Sequence, residues 1–377
     1  MTRRGGLYLH VPFCGAICSY CHFARTADHD LALRQRTVRA LISEFEIRRR
    51  SCSLLQTGGR SLATVYIGGG TPSLLGRDLM AELLTGTVGT LPTTTDLELT
   101  AEANPESLSP DLAAAWRDLG INRISLGVQS LDPRVLKLLG RRCDPATARV
   151  ALDTACKTFS RVSADWILGP GLQRRQLLAE LDEAIDGGVE HISLYILELH
   201  EGTLLQRAVS AGTLQLLPDQ ETEDLYLACV DHLARRGLPQ YEVSNFARPG
   251  AESRHNRSYW RGVPYLALGP SASGFWGRRR YTNERSIPRY LAQVEAGVIP
   301  EEEVDPLDGT ARRLEALVLP LRTVEGLLLK DLPPRSLDLA QGEREGLWTV
   351  ADGRLRLTTR GFLRIDTVES RLAACVG

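Results

Sequence analysis

The 377-residue chain reads as an α/β protein: an incomplete, splayed barrel of parallel strand–helix units followed by a small C-terminal α+β domain of winged-helix character. Three observations predict this. Short runs rich in Val, Ile and Leu alternate with helical spacers, the pattern of βα units on a parallel sheet. Within those runs apolar and polar residues alternate, although parallel strands covered on both faces usually read as continuous apolar runs. Beyond residue 300 the pattern changes to helix-like ARRLEALVL, strand-like LWTV and RLRLT, and a last helix-like stretch.

Six strands are expected, in order Leu7 to Val11, Thr64 to Ile67, Leu97 to Ala101, Arg123 to Gly127, Val162 to Ile167 and Ile192 to Ile196. The spacers between them include Leu31 to Arg48 and Leu177 to Asp186, where apolar residues recur at intervals of three and four. Side chains alternate across a strand, so each strand has a parity. In LELTAEANP, Leu97, Leu99, Ala101 and Ala103 oppose Glu98, Thr100, Glu102 and Asn104. In NRISLGVQS, Ile124, Leu126 and Val128 oppose Arg123, Ser125, Gly127 and Gln129; in GLYLHVP, Leu7, Leu9 and Val11 oppose Tyr8 and His10. A polar inner face implies a hydrated lumen that holds a ligand, rather than the packed interior of a closed eight-stranded barrel.

The regular alternation stops after Ile196, and a mixed region runs to about residue 290. The Pro/Glu-rich GVIPEEEVDPLDGT then reads as a boundary. The organisation expected is a barrel core over 1–230, an extension over 231–300 and a C-terminal domain over 301–377.

Formal net charge is −1 and the basic residues are scattered, which argues against a nucleic-acid stripe or a site for an anionic membrane surface. The runs Arg48-Arg49-Arg50 and Arg278-Arg279-Arg280 read as solvated faces. No apolar stretch approaches the ~20 residues of a membrane helix. MTRRGGLYLHVPFC reaches a strand with no apolar signal core, so a cytoplasmic location is expected, where thiols stay reduced. Eight cysteines therefore need another explanation than disulfides. Cys52, Cys143, Cys156, Cys229 and Cys375 are dispersed, but Cys14, Cys18 and Cys21 crowd one loop after the first strand.

The spacing C-x3-C-x2-C suits three irons of a [4Fe–4S] cubane, where ferredoxin clusters use four cysteines. The fourth iron is left open, and an open coordination position is where a cofactor or substrate binds. S-adenosylmethionine can chelate such an iron through its amino and carboxylate groups, and an electron from the cluster can then cleave its sulfonium. Zinc is the competing reading, with His10 or His22 completing a Cys3His site. Gly68, Gly69 and Gly70 end the second strand in YIGGGTPSLL, where bare backbone can approach a ligand. Tyr8, Glu102, Gln129 and Asp165 lie at or beyond strand ends. Glu102 suits ribose hydroxyls as an acceptor, and Arg141 suits a carboxylate as a fork donor.

In order, LYLHVPFCGAICSYCHF, VYIGGGTPSLL, TAEANPESL, RISLGVQSLD with LLGRR, QYEVSNFARPG and RHNRSYW resemble the HemW haem-chaperone family, relatives of the anaerobic coproporphyrinogen III dehydrogenase HemN. The resemblance runs from about Leu7 to the C-terminus. It implies a splayed (β/α)6 TIM-like radical S-adenosylmethionine barrel with a small C-terminal domain. It also implies a [4Fe–4S] cluster on Cys14, Cys18 and Cys21, bound S-adenosylmethionine, an electron donor for the cluster, and haem passed to apo-haemoproteins such as respiratory cytochromes. Tyr8 and Tyr20 would flank the methionine end; Gly69, Gly70 and Thr71 would supply the glycine-loop contacts; Glu102, Gln129, Arg141 and Asp165 match the remaining nucleoside and carboxylate contacts. In the dehydrogenase some of these serve a second S-adenosylmethionine. His255, in RHNRSYW beside Asn256, Tyr259 and Trp260, matches the histidine the family associates with haem.

Four departures stand out. Phe23 occupies the position of a further cysteine in the dehydrogenase, which argues against coproporphyrinogen III oxidation here. His22 and His200 stand where relatives are commonly acidic, and WILGPGLQ replaces the usual LIYGLPGQ. The alternative function is an oxygen-independent coproporphyrinogen III oxidase or another tetrapyrrole-modifying radical enzyme.

Overall fold

The computed structural model describes residues 4–51, 61–276, 279–333 and 337–376. All six expected strands form: β1 (Arg4–Val11), β2 (Ser61–Gly69), β3 (Thr93–Ala103), β4 (Arg123–Gln129), β5 (Arg161–Leu168) and β6 (His191–Ile196). They lie side by side and parallel in chain order. The helices Leu31–Ser51 and Arg174–Asp186 contain both expected helical spacers.

Parity decides which face is which. Leu7, Leu9, Val11, Ala101, Ile124, Leu126 and Val128 are wholly buried beneath the helices, in one core with Phe45, Leu83, Trp116 and Leu181. Transfer of that apolar surface from water is the main force closing the helical layer onto the sheet. The opposite parity, from Glu102 and Ser125 to Asp165, faces the lumen.

The sheet is longer than the sequence implied. β7 (Gln240–Glu242) and β8 (Asn245–Ala247) extend it antiparallel beyond β6. Beyond β1 come β9 (Tyr265–Leu268), β10 (Ser273–Trp276), β11 (Arg279–Asn283) and β12 (Glu301–Asp305). β9 pairs parallel with β1, making a seventh parallel strand, and the twelve-stranded sheet stays open between its edges β12 and β7. The Pro/Glu-rich boundary segment thus contributes an edge strand, β12, paired with β11.

The last segment has its own apolar cluster, with Leu321, Trp348, Leu355, Val368 and Leu372 buried. A three-stranded antiparallel sheet of β13 (Leu327–Leu328), β14 (Trp348–Ala351) and β15 (Arg354–Leu357) accompanies helices Gly309–Leu321 and Ile365–Val376. Expected helix, paired strands and final helix all fall where the pattern placed them.

One reading is corrected. Arg48 does not lie on a solvated face: it is 3% exposed and bridges Glu44 at 2.8 Å, Glu301 at 2.7 Å and Asn283 at 2.8 Å. Its guanidinium also lies over the Tyr281 ring, 4.3 Å from the centroid. A buried charge survives only when paired and hydrogen-bonded, and two of these partners, Asn283 and Glu301, come from far along the chain. Arg279 and Arg280 are likewise ion-paired, with Glu301 and Glu315, while Arg278 lies outside the described residues.

Candidate cofactor and metal site

A cavity of about 390 Å³ opens at the C-terminal ends of the parallel strands. Its lining gathers Cys14, Cys18, Tyr20 and Cys21 from the loop after β1 and Gly69, Gly70 and Thr71 after β2. From β3 to β5 and the turns after them come Glu102, Gln129, Arg141 and Asp165. Ligands bind at this end of parallel sheets because the loops there converge.

The glycine loop owes its composition to packing as well as to ligand approach. Gly69 has φ +106°, and a Cβ there would come within 2.5 Å of the His10 ring. A Cβ on Gly70 would meet the Phe13 carbonyl at 2.5 Å. This closeness lets the Gly70 amide donate to Val11 and the Thr71 amide to Phe13, at 2.8 and 2.6 Å, clamping the loop onto the start of the cysteine loop. Asn104 in turn donates to the Thr71 hydroxyl at 3.0 Å.

Glu102 accepts from the Tyr66 hydroxyl at 2.9 Å and from the Gly69 amide at 3.0 Å. Burial pushes its carboxyl up to about 7, and burial likewise raises Asp165 to about 6. Asp165 faces the lumen in unbroken register with Ser193, accepting from Ser125 at 3.3 Å, so the altered WILGPG segment after it leaves its position intact. Two acids held out of water beside each other favour their neutral forms, a perturbation typical of a ligand cavity. Among the described residues the buried Gln129 side-chain oxygen has no hydrogen-bond partner, on a residue with φ +70°. A non-glycine residue in the left-handed region next to a cavity is strain retained for a site.

Arg141 donates to the Gly127 carbonyl at 2.7 Å and Asn104 at 3.0 Å, and reaches the Cys18 sulfur at 3.7 Å. Its Nε is buried and has no partner among the described residues, so the fork retains a donor. Burial, reinforced by the neighbouring Cys21, pushes the Cys14 thiol up to about 11, and burial also raises Cys21. The Cys14 and Cys21 thiols resist ionising, and bound iron would supply the positive charge that relieves them. The zinc reading finds no support in the candidate fourth ligands. His10 is buried, with Nδ1 3.1 Å from the Tyr8 hydroxyl and Nε2 2.9 Å from the Ala24 carbonyl oxygen, and His22 lies against another imidazole. Among the described residues no three His, Cys, Asp or Glu side chains are gathered closely enough for a single ion.

Two expected site residues lie elsewhere. Tyr8 is absent from the cavity wall; it packs beneath, stacked 6.2 Å from Tyr66 and bonded to His10. His255 sits deeper still. RHNRSYW forms the helix Arg254–Trp260, capped by Ser253, whose hydroxyl accepts from the Asn256 amide. Glu98 of β3 accepts from the first amides of the helix, at 3.1 and 2.9 Å. His255 is 0% exposed; Nδ1 meets the Thr64 hydroxyl at 2.9 Å and Nε2 the Tyr259 hydroxyl at 2.7 Å. Both nitrogens are thus engaged, and neither faces the cavity. The helix fills the lumen below, and the imidazole stacks 5.2 Å from Tyr66, which reaches up to Glu102.

The family model described as the Radical SAM superfamily matches residues 8–184. The chain is 37% identical to the heme chaperone HemW of Mycobacterium tuberculosis, over 96% of this chain and 93% of that protein. It is 33% identical to the mitochondrial radical S-adenosyl methionine domain-containing protein 1 of Bos taurus, over 97% and 87%. This chain belongs to the HemW family of the radical SAM superfamily. The fold agrees: coproporphyrinogen III oxidase (HemN) from Escherichia coli superposes with a TM-score of 0.81 at 21% identity, covering all of this chain and 90% of that one.

In this HemW-family chain the strand parity also held residues that were not singled out from the sequence. Tyr66 and Tyr195 face the lumen by the same alternation in VYIGG and ISLYI, and Tyr195 joins Ser125 and Asn104 in the cavity wall. Arg25 lines the cavity as well, four residues after Cys21, with no periodic pattern to mark it.

Proposed function

We propose that this chain binds haem and delivers it to apo-haemoproteins in the cytoplasm, retaining a [4Fe–4S] cluster and S-adenosylmethionine. The observation that carries the reading is near-full-length likeness to heme chaperones joined to one cavity that gathers the three cysteines with the glycine loop and buried acids.

Cys14, Cys18 and Cys21 would hold the cluster, and Arg141, bonded to Cys18, would orient that thiolate and offer its free donor to a carboxylate. When bound, the cluster supplies a low-potential electron to the sulfonium of S-adenosylmethionine. Glu102, held between Tyr66 and Gly69, would accept from ribose hydroxyls; Asp165 and the unpartnered Gln129 oxygen would take other donors of the nucleoside. Tyr20, packed on Val135, Leu139 and Ile167, would wall the methionine end. Gly69, Gly70 and Thr71 would leave room for it. Tyr8 supports this floor through His10 and Tyr66 rather than by contact. Phe23, in place of a thiol, suits haem handling better than porphyrinogen oxidation.

The test is anaerobic cluster reconstitution followed by haem titration with and without S-adenosylmethionine. The reading expects saturable haem binding and no turnover of coproporphyrinogen III. Absence of saturable binding by protein with a full iron complement overturns it.

A further inference from the structure

A second cavity, of about 790 Å³, adjoins the tail of the cysteine loop and shares only Phe23 and Arg25 with the first. The segment Phe23 to Thr26 forms one wall and the first turn of the helix Ile287–Glu295 another, joined by Arg36 of the helix Leu31–Ser51. The first wall is one hydrogen bond from the cysteines. Thr26 accepts from the Cys14 amide at 2.9 Å, its own amide donates to the Pro12 carbonyl at 2.8 Å, and Phe23 follows Cys21 by two residues. Arg25 and Arg285 are near enough to Cys21 to counter part of the rise that burial imposes on its thiol.

The lining carries four guanidiniums, Arg25, Arg36, Arg285 and Arg289, against two carboxylates, Asp28 and Glu302. Arg36 and Arg289 are paired with Glu295 and Glu284, which lie outside the lining. Arg25 and Arg285 form no ion pair among the described residues; each donates to a backbone carbonyl, of Phe23 and of His22. Leu33, Ile287 and Leu291 add apolar surface, and the Phe23 ring is 54% exposed.

With S-adenosylmethionine in the first cavity, a reductant too large to enter it must approach the cysteine loop from outside. Electron transfer falls steeply with distance, and from Phe23 and Thr26 two of the three sulfur ligands are reached through a few bonds. Transient redox encounters bury little surface and draw their rate from complementary charge. A cationic lining with two unpaired guanidiniums selects an acidic surface. The exposed Phe23 ring suits the edge of a planar aromatic cofactor such as a flavin. A phosphorylated metabolite would use the arginines but not the ring.

We propose that this second cavity docks a small acidic flavoprotein that reduces the cluster, Arg25, Arg285 and Arg289 meeting its carboxylates and Phe23 its flavin edge. One electron crosses: the reduced flavin loses it, any proton leaving to water, and the oxidised [4Fe–4S] cluster gains it. This docking rests on the cluster reading given above.

The full chain, its cluster reconstituted anaerobically and S-adenosylmethionine present, is mixed with a reduced flavodoxin, and bleaching of the cluster absorbance is followed by stopped flow. Arg285→Glu and Arg289→Glu are each expected to slow this reduction about tenfold at low salt, and raised salt narrows the difference. Arg117→Glu, on the helix Pro110–Asp118 outside both cavities, leaves the rate unchanged. Iron per chain, and reduction by dithionite, which needs no dock, stay at wild-type values throughout. Should Arg285→Glu lose iron through its bond to the His22 carbonyl, Arg289→Glu carries the same expectation alone. Equal rates in wild type and the arginine variants overturn the proposal. So does a cluster that dithionite reduces and flavodoxin does not, or a ferredoxin that outpaces flavodoxin. A chain that assembles no cluster sinks the reading of the cysteines itself, a distinct result.

Discussion

His255 and the pair His22–His200 are imidazoles of opposite kinds. His255 is sealed in the lumen, both nitrogens bonded, its ring stacked beneath Tyr66. The pair stands at the mouth among exposed apolar side chains, and among the described residues the His22 ring has no hydrogen bond. Burial with complete hydrogen bonding suits a histidine to a structural role, while a half-buried ring at a cavity mouth keeps its nitrogens accessible. The helix that carries His255 therefore supports the cavity floor through Tyr66 and Glu102, while the pair lines the cavity mouth.

The largest effect expected is on the cysteine loop at the cavity mouth. Cys18→Ala, which also breaks the Arg141 contact, should reduce cluster iron to near zero after reconstitution, measured as iron and sulfide per chain. Full iron loading would show that these cysteines do not hold the cluster. Next in size, His255→Ala opens a void in the lumen and orphans the Thr64 and Tyr259 hydroxyls. Unfolding in denaturant should show about 2–4 kcal/mol lost. A near-neutral result would mean the plug is not structural.

Glu102→Gln sharpens the comparison by acting on the floor between the two regions. Its folded carboxyl titrates near 7, above the ordinary ~4.3 of the unfolded chain. A raised acid contributes stability that is present at low pH and lost as pH rises through the folded value. Removing the charge should therefore stabilise ligand-free protein at pH 8 by about 2 kcal/mol. The same change should weaken S-adenosylmethionine binding about tenfold by calorimetry, since the buried acceptor is lost.

The smallest effect expected is a pH dependence of opposite sign. Burial holds His10 down to about 4 and His255 to about 3, while the unfolded histidines bind protons near ~6.5. Unfolded chains take up protons first, so these residues lower stability as pH falls from about 6.5 towards 4. His255→Gln should flatten that decline in thermal melts; an unchanged slope would place the titration elsewhere.

Much of this was readable in advance, for reasons that mark the limits too. The six strands and the lumen-facing acids follow from local periodicity, and the cysteine loop from spacing alone. β9 was missed because four apolar residues, Tyr265–Leu268, carry no period, and its partner β1 lies at the other end of the chain. Arg48 looked solvated because Asn283 and Glu301, which bury it, are also remote in sequence. For the same reason RHNRSYW gave no sign that Thr64 and Glu98 would enclose His255. His22 and His200 were visible as departures, but their contact required the fold.

Haem delivery by this chain is tested most directly by transfer. Haem-loaded protein would be mixed with a haem-free cytochrome apoprotein and the Soret band followed as the cofactor changes hosts. Stoichiometric transfer, with no coproporphyrinogen III consumed by the same preparation, is the predicted result. Haem that stays bound to this chain while the apoprotein remains empty would contradict it.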